Sequence, residues 1–99
     1  METQLLKLRY VDNEQFLVDL EFFDGVVFIH CLVHSWNLST LKKMYSYFKE
    51  LKRELSSIGI QKIVTVTPNP KFAKLFGGDT VNKIDYLGAE YEVITWELK

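Results

Sequence analysis

This sequence has little of several things. It holds one cysteine, Cys31, so no intramolecular disulfide can form. A lone thiol points to a reducing compartment. Two prolines and five glycines in 99 residues are too few for a linker, a low-complexity tract or a repeat array. No apolar run approaches the ~18 residues that a membrane span needs. The first residues carry no basic stretch followed by an apolar one, so no secretory signal is expected and a cytoplasmic location is. There is no CxxC and no HExxH. His30 and His34 would sit about 13 Å apart on one strand face at the usual rise per residue. That is too far for two ligands of one ion, so no metal is expected.

What is present is a core. Apolar residues make up 47% of the chain, with seven Phe, five Tyr and two Trp. The length suits a single domain over 1–99. A chain this short buries only about two-thirds of its unfolded surface, which leaves room for a homodimer to cover more.

The net charge of −1 selects no partner, but its distribution is uneven. Residues 36–74 carry eight basic and two acidic side chains, between two segments that are net acidic. Lys42, Lys43, Lys49, Lys52 and Arg53 form the outer side of one helix, with Tyr45 and Tyr47 among them. Such a row is a solvated face, or a surface for phosphates or an acidic protein partner. Overall acidity and the lack of a glycine-rich or RNP-like motif argue against nucleic acid. The apolar stripe of the same helix is needed as core, which argues against a membrane surface.

The periodicity gives the order of elements. Residues 3–11 read as a strand, then Asp12-Asn13-Glu14 as a turn. Residues 15–23 alternate, with Phe16, Val18, Leu20 and Phe22 on one face and Gln15, Asp19 and Glu21 on the other. Asp24-Gly25 is a hairpin turn. Residues 26–33, VVFIHCLV, are apolar on both faces and predict a strand covered on both sides, with Cys31 a buried, inert thiol. Leu41, Met44, Phe48, Leu51, Leu55 and Ile58 then recur at spacings of three and four, the mark of an amphipathic helix of about five turns. Asn37 or Ser39 caps its start, and Trp36 and Leu41 stand at the positions of a hydrophobic staple. Gly59 ends it. A strand over 60–67 follows, then a short helix from Pro70 to Phe76, a Gly77-Gly78 stop, and strands near 81–86 and 90–97 joined around Gly88. The fold class is mixed α/β (α+β), in the order β-β-β-α-β-α-β-β, with one long helix and one short.

The stretch Val66-Thr-Pro-Asn-Pro-Lys-Phe-Ala-Lys-Leu-Phe-Gly-Gly78 sharpens this. It places Asn69 after the strand that follows the long helix, and Phe76 seven residues on. In this order and spacing the chain resembles the C-terminal two-thirds of the GNAT superfamily, the Gcn5-related N-acetyltransferases. By size and degenerate motifs it also resembles the small GNAT-like proteins of bacteriophages. The resemblance implies a mixed sheet whose two parallel strands splay to admit acetyl-CoA. The cofactor's pyrophosphate would rest at the start of the long helix, where free N–H groups favour anions. It carries cofactor-binding roles onto Val33, Ser39, Thr40 and Asn69.

The stretch matching the family's Gln/Arg-x-x-Gly-x-Gly/Ala loop is His34-Ser-Trp-Asn-Leu-Ser39, or a register one later that ends on Thr40. Neither has a glycine or a leading Gln/Arg. Phe76 stands where the family's acid, usually Tyr, is placed, with Tyr86 and Tyr91 as substitutes. Glu21 is the catalytic base candidate by position. The resemblance thus implies either an acyl-CoA-dependent N-acyltransferase or a non-catalytic GNAT-like protein that binds a host or virion partner through its basic helix.

Overall fold

A computed structural model describes residues 6–98. The chain forms β1 (Leu6–Asp12), β2 (Phe16–Phe23), β3 (Val26–Val33), α1 (Leu38–Ser57), β4 (Lys62–Thr67), α2 (Lys71–Leu75), β5 (Asp79–Tyr86) and β6 (Ala89–Glu97). The element order is the one expected, although residues 3–5 of the first expected strand lie outside the described residues. The strands make one six-stranded sheet ordered β1-β2-β3-β4-β6-β5. Every pairing is antiparallel except β3 with β4, the two strands joined through α1.

Local chemistry fixes the joints. Asn13 Oδ1 accepts from the Gln15 and Phe16 N–H groups at 2.8 and 2.9 Å, which closes the first turn. Asp24 and Gly25, with φ of 50° and 79°, make the paired left-handed turn that a tight hairpin requires. Asn37, not Ser39, caps α1: its Oδ1 accepts from the Thr40 N–H at 2.9 Å.

The far end of α1 differs from the expected stripe. Ile58 is the C-cap and is 68% exposed. Gly59, at φ +88°, reverses the chain there. Its N–H bonds to Ser56 O and that of Ile60 to Leu55 O, and it is Ile60 that turns back onto the core. The pairing of Ile60 with Leu55 across the cap takes the place expected of Ile58.

Both helices lie on one face of the sheet. Phe16, Val18, Leu20, Val27, Ile63, Ile94 and Trp96 point from the strands into one core with Met44, Phe48, Leu51 and Leu55 of α1. Ala73 and Phe76, in and after α2, pack against the same core. The opposite face carries the alternate residues. Asp19 there holds Arg9 at 3.0 Å, and Glu21 lies 3.7 Å from Lys7. That face has no covering helix among the described residues, which corrects the expectation for β3. Val27 is buried on the helix side, but His30 and Leu32, on the open face, are exposed.

Candidate functional site: a cleft where two parallel strands part

β3 and β4 pair only at Val26–Lys62, Val27–Ile63 and Phe28–Val64. Beyond that point β3 stays with β2 as far as Val33, and β4 stays with β6 as far as Thr67. The two strands therefore part in a V. Thr65 Oγ1 donates to Ile29 O at 3.0 Å at its vertex. Past the vertex the facing backbone edges are not paired with each other, although buried backbone groups ordinarily are.

The V opens into a cleft of about 370 Å³ under α1 and α2. Ile29, Cys31 and Val33 form one wall, Thr65, Thr67 and Asn69 the other, and Met44, Tyr47 and Phe48 of α1 the roof. The lining is largely apolar, and the threonines are already engaged. Thr67 Oγ1 accepts from the Asn69 N–H at 3.0 Å.

The mouth is partly covered. Trp36, between β3 and α1, stacks on Phe72 of α2 with ring centroids 3.9 Å apart and planes inclined by 17°. At the start of α1 the Thr40 N–H is held by Asn37, while the N–H groups of Leu38 and Ser39 make no bond among the described residues. The expected cofactor residues fall unevenly around this mouth. Val33 and Asn69 border the cleft. Ser39 is exposed at the helix start. Thr40 is wholly buried, with its Oγ1 unpartnered.

The candidate acid–base groups also separate. Phe76 is structural: its carbonyl accepts from Trp96 Nε1 at 3.1 Å, and its ring lies 5.9 Å from that of Phe48. Tyr86 and Tyr91 face one another 6.2 Å apart on the β5–β6 hairpin and do not line the cleft. Glu21 is on the sheet face away from the helices. Its Oε1 lies 3.6 Å from Nε2 of His30, and His30 borders both the cleft and a shallow depression on that opposite face.

His30 was legible in the sequence as a strand residue next to Cys31. Its partnership with Glu21 depends on the β2–β3 register and was not. Tyr10 and Tyr47 are phenols in the cleft wall that the sequence reading missed, their rings 6.4 Å apart. Burial, then Glu54 and Glu50, push the Tyr10 hydroxyl above its ordinary value. Cys31 is not buried as expected, since its surface opens onto the cleft. The flanking walls nevertheless desolvate its thiolate and push the thiol up to about 11, so it is a poor nucleophile at neutral pH. Among the described residues no three of His, Cys, Asp and Glu converge on a metal position. No helix is long and apolar enough to cross a membrane.

The α2 wall is tied down by Glu92 of β6, which accepts from Thr80 Oγ1 at 2.6 Å and lies 3.3 Å from Lys74 Nζ. The Thr80 bond, opposed by desolvation and aided by Lys74, holds the Glu92 carboxyl below its ordinary 4.5. A carboxyl depressed in the folded state stabilises above its unfolded value, and that contribution fades as pH falls through the folded value. Acid unfolding followed by circular dichroism should therefore show wild type losing stability below about pH 4.5. Thr80→Val should lose less over the same range. Equal acid limbs for the two proteins would disprove the assignment.

No protein-family model matches this sequence, and no curated protein is a detectable sequence relative. Solved structures do match. An acetyltransferase from Bacillus cereus superposes with a TM-score of 0.67 at 17% identity, over 97% of this chain and 74% of that one. An aminoglycoside 6′-acetyltransferase type Ii superposes with a TM-score of 0.69 at 13% identity, over 94% of this chain and 68% of that one. At such identities the likeness establishes the fold: a mixed six-stranded sheet with one long and one short helix, shared with the GNAT acetyltransferases.

Proposed function

With the GNAT acetyltransferase fold as premise, we propose that this chain holds an acyl-CoA thioester in the β3–β4 cleft and has at most weak transfer activity. The parting of β3 and β4 beyond Phe28 and Val64 is the observation that carries this reading. Unpaired backbone edges on both sides of an apolar slot suit the amides of a pantetheine arm. The Leu38 and Ser39 N–H groups at the start of α1 suit its phosphates. The cofactor would supply the activated acyl group. Val33 and Asn69 would border its arm, and Ser39 would meet its phosphates.

The fit is incomplete in two ways. Trp36 lies across the mouth on Phe72, and Asn37 consumes one of the N–H groups that a phosphate would use. On the chemical side, Phe76 has no proton to give. His30 beside Glu21 is the base this geometry offers at the cleft margin.

Titration with acetyl-CoA tests this. Ligand at 100 times its dissociation constant should raise stability by about 2.7 kcal/mol, read as a thermal shift. Trp36→Ala should bind more tightly, by about tenfold at most, because the stack broken on entry is worth ~0.5–1.5 kcal/mol. No shift in either protein at millimolar acetyl-CoA would refute the reading.

A second reading draws on the basic face of α1. Among the described residues Lys42, Lys43 and Lys49 make no ion pair, while Arg53 pairs with Glu50 and Lys52 lies 5.2 Å over the Phe48 ring. On this reading the chain is a non-catalytic, phage-type GNAT-fold protein that docks an acidic host or virion protein. Neutralising Lys42, Lys43, Lys49, Lys52 and Arg53 together should then abolish capture of that partner, and unchanged capture would exclude this surface.

A further inference from the structure

We infer that β5 is a self-pairing edge: two copies of this chain join through it, antiparallel, with Ile84 on the two-fold axis. This goes beyond the cofactor reading and does not depend on it.

The sheet has two open edges. β1 is bulged at Tyr10, and its Arg9 is tied to Asp12 and Asp19. β5 is bulged near Val81 but regular from Asn82 to Tyr86, and every residue of that stretch is exposed. A regular, exposed edge strand is a template for another strand.

The register with β6 shows which backbone groups are free. Tyr86 and Ala89 flank the two-residue turn Leu87-Gly88, so they form the hydrogen-bonded closing pair. Alternation then makes Ile84–Tyr91 and Asn82–Val93 the other bonded pairs. The N–H and C=O groups of Lys83 and Asp85 are left pointing to the open edge. The Lys83 N–H agrees with this, since it is satisfied by Asn82 Oδ1 at 2.8 Å rather than by β6.

An antiparallel partner must oppose these outward groups. Within the regular stretch, a two-fold axis allows Lys83 on Lys83, Asp85 on Asp85, or Lys83 on Asp85. The first two put like charges face to face, which is destabilising. The third is complementary twice over. Each Lys83–Asp85 pair exchanges both its N–H···O bonds, with Asn82 Oδ1 giving up the Lys83 N–H to the partner strand. Ile84 meets Ile84 at the axis, and Asn82 faces Tyr86 on either side. Ile84 is 43% and Tyr86 61% exposed in the single chain, so both have apolar surface to bury.

The hairpin's own charges point the same way. Asp85 stands opposite Glu90, a like-charge pair that costs stability in the single chain. Lys83 stands opposite Glu92, which Lys74 and Thr80 already hold. The Lys83 and Asp85 side chains make no ion pair among the described residues, and each is what the other needs across the axis.

Sedimentation equilibrium tests this with full-length chain. Wild type should be dimeric at about 100 μM, well above a micromolar dissociation constant. Asp85→Lys relieves the clash with Glu90, so the melting temperature of the single chain, read at concentrations well below those that dimerise, should not fall. It should weaken dimerisation by about tenfold or more, since two attractive cross-strand pairs become repulsive. The double variant Lys83→Asp/Asp85→Lys should restore the dimer. In a Cys31→Ser background, Ile84→Cys should crosslink on oxidation and Leu8→Cys, on the other edge, should not. A monomeric wild type, an Asp85→Lys protein that dimerises as before, a double variant that stays monomeric, or no crosslink at position 84 would each overturn the proposal.

Discussion

Gly78→Ala is expected to destabilise the protein by about 3 kcal/mol, at the upper end for overpacked sites. A Cβ at Gly78 would lie 2.5 Å from Ile94 Cγ2, 2.9 Å from Trp96 Cζ2 and 3.0 Å from Ala73 O. None of the three can swing aside. Ile94 is wholly buried, Trp96 is pinned by its bond to Phe76 O, and the third atom belongs to the α2 backbone. Relief requires α2 to lift off β6, which moves one wall of the cleft. For a domain of this size such a loss lowers the melting temperature by more than about 10 °C. A calorimetric loss below about 1 kcal/mol would mean that α2 is not seated as tightly as these distances require. Gly77→Ala is the contrasting case. Gly77 has open space around it and φ of +91°, so its alanine suffers from backbone conformation and not from crowding.

The two glycines read alike in the sequence, as one helix stop. Only the first is a conformational stop, and the second makes room for the strand behind it. That contrast marks where sequence reading reaches its limit. The periodic parts were legible. Alternation gave Phe16, Val18, Leu20 and Phe22 one face, and spacings of three and four gave Met44, Phe48, Leu51 and Leu55. These patterns record local geometry acting on a single buried side.

Tyr45 and Tyr47 were also within reach. Tyr47 is three residues after Met44 and four before Leu51, and Tyr45 three before Phe48. Yet they were read with the basic face, where their lysine neighbours lie. Their rings instead border the apolar stripe, Tyr45 6.0 Å from Phe76 and Tyr47 5.7 Å from Phe16.

The candidate site was less legible because its defining feature is a pairing that stops. Nothing in VVFIHCLV or KIVTVT says that β3 and β4 part after Phe28 and Val64. The strand-by-strand propensities continue past that point, and β2 and β6 hold the two tails apart. The Trp36–Phe72 stack joins residues far apart in the chain, and its position over the mouth depends on how α2 is seated. The Glu21–His30 contact needs the register of the second hairpin. The motif around Asn69 identified the scaffold because it is local. The cleft mouth with its Trp36–Phe72 stack and the Glu21–His30 contact are made by tertiary contact, which no local motif records.

Phe16→Ala should cost about 3–5 kcal/mol, the usual range for emptying a buried aromatic position. The Phe16 ring is fully buried, meets Tyr47 edge-on, and lines the cleft as well as the core. Domains commonly have only about 5–15 kcal/mol in hand, so this variant stands close to the edge of folding. The ring stands opposite Val33, at the wide end of the V, so the space left behind opens toward the cleft and is poorly placed to close over. Chemical denaturation should show the full loss as a lower midpoint with an unchanged slope. A loss below about 2 kcal/mol would mean that neighbouring side chains collapse into that space and that the Phe16 ring does not set the width of the cleft.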